Sequence, residues 1–387
     1  MTVLANWNYP TSISLGAGRI GEVPQECQAL EIKRPLIVTD PGLCDLLFVR
    51  QLQANCTASD LGVGLFSKVH PNPTGEDIEA GLGIYQQGRH DGVIAIGGGS
   101  SLDAGKAIAL MAGQSRPLWD FEDVGDNWTR VICSGVAPVI AIPTTAGTGS
   151  EVGRASVILD ASTHEKRIIF HPLMMPKKVI LDPELTIGLP ADLTAATGMD
   201  ALSHSLEAFC APGYHPMARA IAIEAIGMVK IWLPLAVRDG KNIEARTHML
   251  VASTMGATAF QRGLGAMHAI AHSLGAVFGA HHGMLNAILM PYVLKANQSM
   301  IENDIAQLAR IIGLEGNFKA FLEWILSLRE ELGIPHDLAA IGIEPNCIER
   351  IGAMSVVDPS AGTNPILFDQ KEYSAICLAA IQGSLEL

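Results

Sequence analysis

The chain has 387 residues, of which 17% are charged and 49% are hydrophobic. Its 26 basic and 39 acidic residues give a net charge of −13, which argues against a nucleic-acid partner and against a basic face that docks on membranes. The length allows two domains with separate cores. Because the mean hydropathy is +0.29, we expect part of the surface to be buried against a second copy, in a homo-oligomer.

Seven cysteines are scattered along the chain without a C-x-x-C pair, a pattern typical of reduced thiols. The first residues, MTVLANWNYP, lack the basic segment and apolar run of a signal peptide. We therefore expect a cytoplasmic protein.

The first half of the chain alternates short apolar runs with helical segments. Near-continuous apolar runs are typical of parallel strands buried on both faces, and such sheets bind ligands at the carboxyl ends of their strands. From about Gly188 the periodicity becomes helical. We predict an α/β domain with a parallel sheet over 1–187 and an all-helical domain over 188–387. The four predicted strands are 35–39, 92–96, 139–142 and 179–181.

A triglycine turn, 97–99, follows the second predicted strand and precedes a helix expected to begin near Ser101. Glycines let the backbone approach a ligand closely, and the first N–H groups of a helix attract an anion. The turn therefore predicts a pyrophosphate cradle. Leu102 stands where the dinucleotide fingerprint requires its third glycine, so an ordinary tight strand–helix turn is the alternative.

Two further segments bear on a nucleotide. Asp40 closes the first predicted strand, where its carboxylate would accept hydrogen bonds from a ribose and repel a 2′-phosphate, which favours NAD over NADP. The alternative is a turn aspartate that stabilises Asp-Pro-Gly. The segment PTTAGTGSE, 143–151, offers hydroxyls for phosphate or ribose oxygens, although by itself it is an ordinary polar loop.

A metal site is predicted from one carboxylate and three imidazoles. Asp200 and His204 are four apart in a Pro-free stretch, so they share one helix face. His268 and His282 lie in 263–294, which contains no Lys, Arg, Asp or Glu. Neutral imidazoles in such surroundings are explained by a buried cation, whereas in lipid they would be costly, so a membrane span is rejected. The set suits iron(II) or zinc, and accepts nickel or cobalt.

The same residues also have other structural and chemical explanations. An isolated Asp-x-x-x-His pair on a helix is commonly a surface arrangement. His272 and His281 lie outside the predicted set, as core or supporting residues. A metallohydrolase would use the same ligands to activate water, but it would have no use for Asp40 or the triglycine turn.

Six motifs occur together, and their order resembles the iron-containing (group III) alcohol dehydrogenases. The resemblance runs from about residue 10 to the end of the chain, with a local likeness to the 4-hydroxybutyrate dehydrogenase branch. The motifs are HPNPT (70–74), GGGSSLDAGKA (97–107), PTTAGTGSE (143–151), GMDALSHSLEA (198–208), GAMHAIAHSLG (265–275) and HHGMLNA (281–287).

The resemblance implies a dehydroquinate synthase-like fold with the active site in a cleft between the two domains, and a dimer or larger assembly. It implies that Asp200, His204, His268 and His282 bind the metal, and that His272 lies near the substrate, where we predict a proton relay. The residues it implies for NAD binding are Asp40, Asn72, Gly98, Gly99, Ser100, Asp103, Thr144, Thr145, Thr148, Lys166 and Leu185.

The implied activity is NAD-linked oxidation of a small primary alcohol, or reduction of an aldehyde, with the metal as Lewis acid. Arg262, and less strongly Arg154, are candidates for pairing with a substrate carboxylate, as in 4-hydroxybutyrate or succinic semialdehyde. The alternative for Arg262 is a helix-surface or interface residue. A lyase of the dehydroquinate synthase type is the alternative function, although it needs basic residues that the metal domain largely lacks.

Overall fold

The computed structural model describes residues 8–163 and 165–386. Its contacts group the chain into two compact units, one of residues 9–188 and one of residues 189–386 with Asn8. The domain boundary predicted at 187/188 stays a prediction, because compactness alone does not show that each part folds independently.

A six-stranded parallel sheet is the centre of the first unit. In chain order its strands are β1 (Ser12–Leu15), β2 (Pro35–Val38), β3 (Gly64–Phe66), β4 (Gly92–Gly97), β5 (Val139–Pro143) and β8 (Lys178–Leu181). Their order in the sheet is β1-β8-β5-β4-β2-β3. All four predicted strands are present, and their residues are almost all buried. The edge strands β1 and β3 were not predicted, because they are short and partly exposed and so lack a continuous apolar run.

Four helices and a hairpin complete this unit: α1 (Val23–Ala29), α2 (Leu47–Ala58), α3 (Gly75–Gln87), α4 (Gly99–Met111), and the antiparallel strands β6 (Ala155–Asp160) and β7 (Glu165–Phe170). One core cluster joins α1 and α2 to the sheet through buried Val23, Leu52, Ile94 and Ile140. Helix α4 packs on β4 and β6 and is buried along most of its length. Most of the predicted nucleotide motif GGGSSLDAGKA (97–107) thus belongs to a buried helix.

The second unit is helical, and its described residues form no named strand. An α/β part with a parallel sheet followed by an all-helical part confirms the predicted fold class. The helices are α5 (Ala191–Cys210), α6 (Pro216–Arg238), α7 (Ile243–Ala259), α8 (Ala266–Phe278), α9 (His282–Ile311), α10 (Phe318–Glu331), α11 (Ile348–Val356) and α12 (Gln370–Gln382).

Helix α5 is the core of this unit, with contacts to α6, α7 and α9. It is buried almost continuously from Thr194 to Phe209. By length and composition, α6 is the one helix in the described residues that passes as a candidate membrane span. It packs against α5 and α7, as core helices of soluble bundles also do, so its apolar composition is weak evidence for a membrane.

Candidate active site

The four predicted metal ligands lie together in the second unit. Asp200 and His204 are one turn apart on α5, His268 is in the first turn of α8, and His282 is the first residue of α9. One ligand atom from each lies within 4.8 Å of the others. Asp200, His204 and His268 are buried, and His282 is partly buried. Three helices thus bring together one carboxylate and three imidazoles that are up to 82 residues apart in sequence.

Close approach of α9 to α5 depends on a glycine. A Cβ at Gly283 would lie 2.4 Å from the carbonyl oxygen of Ala196, which is shorter than real contacts. Because glycine has no Cβ, the first turn of α9 can rest directly on α5. This contact places Nε2 of His282 3.6 Å from Oδ1 of Asp200.

The geometry of these side chains fits a divalent ion. Nδ2 of Asn286 lies 2.8 Å from Oδ1 of Asp200, and 3.2 and 3.1 Å from Nε2 of His268 and His282, so three ligand atoms face one small region. The ligand atoms all lie within 4.8 Å of one another, and two ligands on one ion are separated by at most twice a metal–ligand bond of about 2.1 Å. The chemistry of the set suits iron(II) or zinc.

Charge compensation in this cluster is strong. Burial alone would raise the pKa of Asp200. Positive charge on His204, His282 and His268 and a hydrogen bond from Asn286 lower it by more than burial raises it, so the net shift is downward. For His268, burial lowers the pKa, whereas the carboxylates of Glu207 and Asp200 raise it above its ordinary value. Buried acid groups in this region thus favour positive charge, which a divalent ion supplies.

Two residues that support the ligands were not predicted from the sequence. Glu207 accepts a hydrogen bond from Nδ1 of His268 at 2.6 Å, and Asn286 contacts three ligands. Both could have been identified from their spacing in the sequence, because Glu207 is three residues after His204 and Asn286 is four residues after His282. These spacings put each on the same helix face as a ligand.

His272 lies beside the ligands and outside the set. Its ring stacks on His282, with centroids 5.2 Å apart, and its Nδ1 is 3.0 Å from Oδ2 of Asp358. Burial raises the pKa of Asp358, but His272 and the hydrogen bonds from Ser360 lower it, with a net shift downward. Asp358 was not predicted. His281 caps α9 by accepting from the Met284 N–H at 3.3 Å, which is a supporting role.

Arg262, a predicted partner of a substrate carboxylate, contacts backbone carbonyls. Its Nε donates to Gly213 O at 2.7 Å, its Nη1 donates to Ala208 O at 2.9 Å, and Nη1 also contacts Phe209 O. These carbonyls lie at and just beyond the end of α5, where helix carbonyls lack intrahelical donors. The guanidinium therefore caps the end of α5, and its pairing with a substrate carboxylate stays a prediction.

Arg154 lies in the first unit, with its guanidinium carbon 5.6 Å from the ring centroid of Phe170. Burial lowers the pKa of Arg154, and the charge of Asp123 raises it, with a net shift downward. The cation is thus partly desolvated on an aromatic face. Its proposed contact with a substrate stays a prediction.

The predicted nucleotide motifs meet at the N-terminus of α4. The helix begins at Gly99, two residues before the expected start, with Gly98 as its N-cap. Ser100 Oγ donates to Pro71 O in the HPNPT motif, and the Thr144 N–H donates to Gly97 O at 3.0 Å. Three motifs distant in sequence thus share one edge of the sheet, where β4 and β5 end.

The threonines of 143–151 pack directly on the glycine turn. A Cβ at Gly99 would lie 2.7 Å from Thr148 Oγ1, and one at Gly98 would lie 3.6 Å from the Thr145 side chain. Only glycine at position 99 permits this approach. The result is a glycine-lined surface at a helix N-terminus, where backbone N–H groups can bind an anion.

Asp40 is held within its own turn. Its Oδ1 accepts from the Gly42 N–H at 2.9 Å and its Oδ2 accepts from Ser101 Oγ at 3.2 Å. The contact with the Gly42 N–H is the one that the turn-aspartate alternative predicts. The contact with Ser101 places the carboxylate at the start of α4. Its role toward a ribose stays a prediction.

Asp103 joins α4 to its neighbours. Its Oδ1 accepts from Ser150 Oγ at 2.5 Å and its Oδ2 accepts from the Val157 N–H at 2.9 Å, while Lys106 Nζ lies 3.2 Å from Oδ1. Both oxygens thus have partners within the protein, so Asp103 fixes the position of the 143–151 segment. Burial lowers the pKa of Lys166, and the charge of Asp103 raises it, with a net shift downward.

The remaining predicted contacts differ in exposure. Leu185 belongs to the buried core cluster of the first unit, so packing explains it without a ligand. Asn72 is partly exposed beside Pro71. The nucleotide roles of these residues stay predictions.

The fold and the site together define a class: a metal-dependent, nucleotide-binding enzyme with a helical metal-binding part. The model of the iron-containing alcohol dehydrogenases matches residues 10–183, and that of the C-terminal part of the same family matches residues 194–381. The chain belongs to the iron-containing alcohol dehydrogenase family.

Known relatives match over nearly their whole length. A 4-hydroxybutyrate dehydrogenase from Cupriavidus necator is 38% identical, covering 92% of this chain and 94% of the relative. A solved 1,3-propanediol oxidoreductase superposes with a TM-score of 0.93 at 32% identity, covering 98% and 100% of the two chains. The sulfoacetaldehyde reductase of Bifidobacterium kashiwanohense, solved with NAD+, gives 0.89 at 29% identity, with 98% and 99% covered.

Proposed function

We propose that the protein is a NAD-linked dehydrogenase of small primary alcohols, and a reductase of the corresponding aldehydes, that depends on a divalent metal. The observation that carries this proposal is the convergence of Asp200, His204, His268 and His282 within 4.8 Å. Family membership supports iron as the metal and NAD as the cofactor.

When held by these four residues, a divalent ion would act as a Lewis acid toward the substrate oxygen, and bound NAD would supply the hydride chemistry. The protein's own contribution is to hold these groups and to exclude water. Segment 263–294 has no charged side chain, and α8 is buried over nearly all of its first ten residues. Apolar walls of this kind strengthen electrostatic interactions at the reacting atoms.

His272 is proposed to move the proton that accompanies hydride transfer. Because the Asp358 carboxylate accepts only, Nδ1 of a neutral His272 carries the hydrogen of their 3.0 Å contact. Nε2 is then the nitrogen that exchanges a proton with the substrate hydroxyl. The stacking of His272 on His282 supports this role, since it keeps the ring beside the metal ligands.

The substrate class is proposed to include alcohols that carry a carboxylate, such as 4-hydroxybutyrate. Support comes from the relative that is 38% identical and bears that name. The guanidinium of Arg262 contacts backbone carbonyls at the end of α5, so this part of the proposal rests on the relative and not on Arg262.

The test is a steady-state assay of NADH formation by metal-loaded protein with NAD+ and either butanol or 4-hydroxybutyrate. The proposal expects turnover of at least one of the two alcohols, with a higher kcat/KM for 4-hydroxybutyrate. Equal values would remove the carboxylate preference, and no NADH formation with any primary alcohol would overturn the proposed activity. NADP+ in place of NAD+ is expected to react more slowly, because Asp40 would repel a 2′-phosphate.

We also propose a homo-oligomer in the cytoplasm. Strand β1 is an edge of the sheet with Ile13 and Leu15 partly exposed, and α6 presents exposed Met217 and Ile231. Apolar side chains on an open edge and on a helix face favour association with a second copy. Cysteines without disulfide partners agree with a reducing compartment. Light scattering of the purified protein tests the assembly, and a monomer at all concentrations would contradict it.

A further inference from the structure

Glu207 is a buried carboxylate, 6% exposed, on the helix that carries Asp200 and His204. It has three hydrogen-bond donors around its carboxylate, from the N-cap and the first turn of α8. Its Oε2 accepts from the Gly265 N–H at 2.7 Å and from Nδ1 of His268 at 2.6 Å. Its Oε1 accepts from the Met267 N–H at 2.7 Å. One side chain thus joins α5 to both the backbone and the imidazole of the His268 segment.

The contact with Glu207 determines which ring nitrogen of His268 faces the other ligands. An ionised carboxylate only accepts hydrogen bonds, so Nδ1 of His268 carries a hydrogen. In the neutral imidazole the lone pair is then on Nε2, the atom that lies 3.2 Å from Asn286 Nδ2 beside Asp200 and His282. This is the tautomer that a metal ligand requires.

The same carboxylate also fixes the start of α8. The first N–H groups of a helix have no intrahelical acceptor, and negative charge is favourable there. Glu207 binds two of them, those of Gly265 and Met267, whereas the one between, from Ala266, donates to Oδ1 of Asn364 at 3.0 Å. Anchoring of the helix is therefore shared with Asn364, but orientation of the imidazole is not.

We propose that Glu207 is a positioning residue of the metal centre, which fixes the tautomer and ring plane of His268 and thereby strengthens binding of the divalent ion. This inference rests on the proposed function, because it takes His268 as a ligand of that ion. Hydrogen-bond partners of metal-binding histidines typically contribute about 10- to 100-fold in metal affinity. The buried carboxylate adds a second negative charge beside the site, which also favours a cation.

The experiment compares Glu207→Gln with Asn364→Ala by competition between the apo-protein and a chelator for Co2+. In Glu207→Gln one carboxylate oxygen becomes an NH2 group, so a buried donor meets either Met267 N–H or the pair from Gly265 and His268. We expect affinity to fall about 10- to 100-fold and the visible Co2+ spectrum to change. Asn364→Ala removes the acceptor of Ala266 N–H without touching His268, so its Co2+ affinity should equal that of wild type.

Three outcomes separate the possibilities. Equal Co2+ affinity in wild type and Glu207→Gln overturns the inference and leaves the proposed function standing. Equal losses in Glu207→Gln and Asn364→Ala also overturn it, because the effect is then only the anchoring of α8. Wild-type protein that binds no Co2+ overturns the proposed function itself. If Glu207→Gln does not fold, Glu207→Asp replaces it, and its shortened carboxylate is expected to weaken Co2+ binding as well.

Discussion

Nδ1 of His272 lies 3.0 Å from Oδ2 of Asp358, although 86 residues separate them in sequence. Oδ1 of the same carboxylate accepts from the Ser360 N–H at 2.8 Å, so Asp358 is fixed on both sides. Its position at the start of the 3-10 helix Pro359–Thr363 lets a distant segment determine the orientation of His272. The two residues form an acid–imidazole pair beside the metal ligands.

This pair makes His272→Ala the variant that tests the proton relay. We expect kcat to fall by about 100-fold or more, because general acid–base catalysis typically contributes that much. Asp358→Asn should lower kcat less, since its single amide oxygen can still accept from Nδ1 of His272, with the NH2 group then facing the Ser360 N–H. The measurement is kcat and KM as a function of pH. Full activity of His272→Ala with an unchanged pH profile would remove the relay.

Arg262→Ala separates a helix-capping role of Arg262 from a role in binding a substrate carboxylate. Three carbonyls around the end of α5 lose their donor, so we expect the free energy of unfolding to fall by about 1–3 kcal/mol. The KM for 4-hydroxybutyrate should change no more than the KM for butanol. Urea unfolding and parallel kinetics measure both quantities. A selective rise in KM for 4-hydroxybutyrate would instead show that Arg262 binds the substrate carboxylate.

Gly99→Ala and Gly83→Ala form a matched pair for the nucleotide cradle. A Cβ at Gly99 meets Thr148 Oγ1 at 2.7 Å, whereas one at Gly83, within α3, meets no atom within 4 Å. We expect Gly99→Ala to raise the Kd for NAD+ about tenfold or more, since it displaces 143–151 at a surface where the backbone must approach a phosphate. Gly83→Ala should leave the Kd unchanged and stabilise the helix by up to about 1 kcal/mol. Fluorescence titration with NAD+ distinguishes them, and an unchanged Kd in Gly99→Ala would argue against the cradle.

Two core thiols predict how stability depends on alkaline pH. Burial raises the pKa of Cys27 to about 12 and that of Cys56 to about 11. An unfolded thiol ionises near about 8.5, so above that pH the unfolded chain binds fewer protons than the folded one, and stability falls as pH rises. Urea midpoints at about pH 8 and about pH 10 should therefore differ more for wild type than for the double variant Cys27→Ala/Cys56→Ala. An identical pH dependence in both proteins would contradict this assignment.

The fold was largely predictable from the sequence because its strongest elements have local signals. Strands β2, β4 and β5 are buried on both faces and appear as apolar runs, whereas the edge strands β1 and β3 are too short and exposed to stand out. The helical half was evident from periodicity. Its first helix, α5, begins at Ala191, close to Gly188, where the helical periodicity was predicted to start.

The site was predictable in part. Asp200 and His204 have helical spacing, and Glu207 and Asn286 continue the same spacings, so a search for hydrogen-bond partners on those faces would have found them. Asp358 could not be found in this way, because only tertiary packing brings it to His272. The backbone contacts of Arg262 could not be predicted for a related reason: proximity in sequence to His268 does not determine where a long side chain points.

The most direct test of the account is removal of the metal. Protein stripped with a chelator under anaerobic conditions should lose NADH formation, regain it on addition of Fe2+, and show no such recovery in the Asp200→Ala variant, which lacks the carboxylate ligand. Metal content after dialysis should track activity in wild type. Turnover that is unchanged after complete removal of the metal would contradict the central claim that Asp200, His204, His268 and His282 hold the catalytic ion.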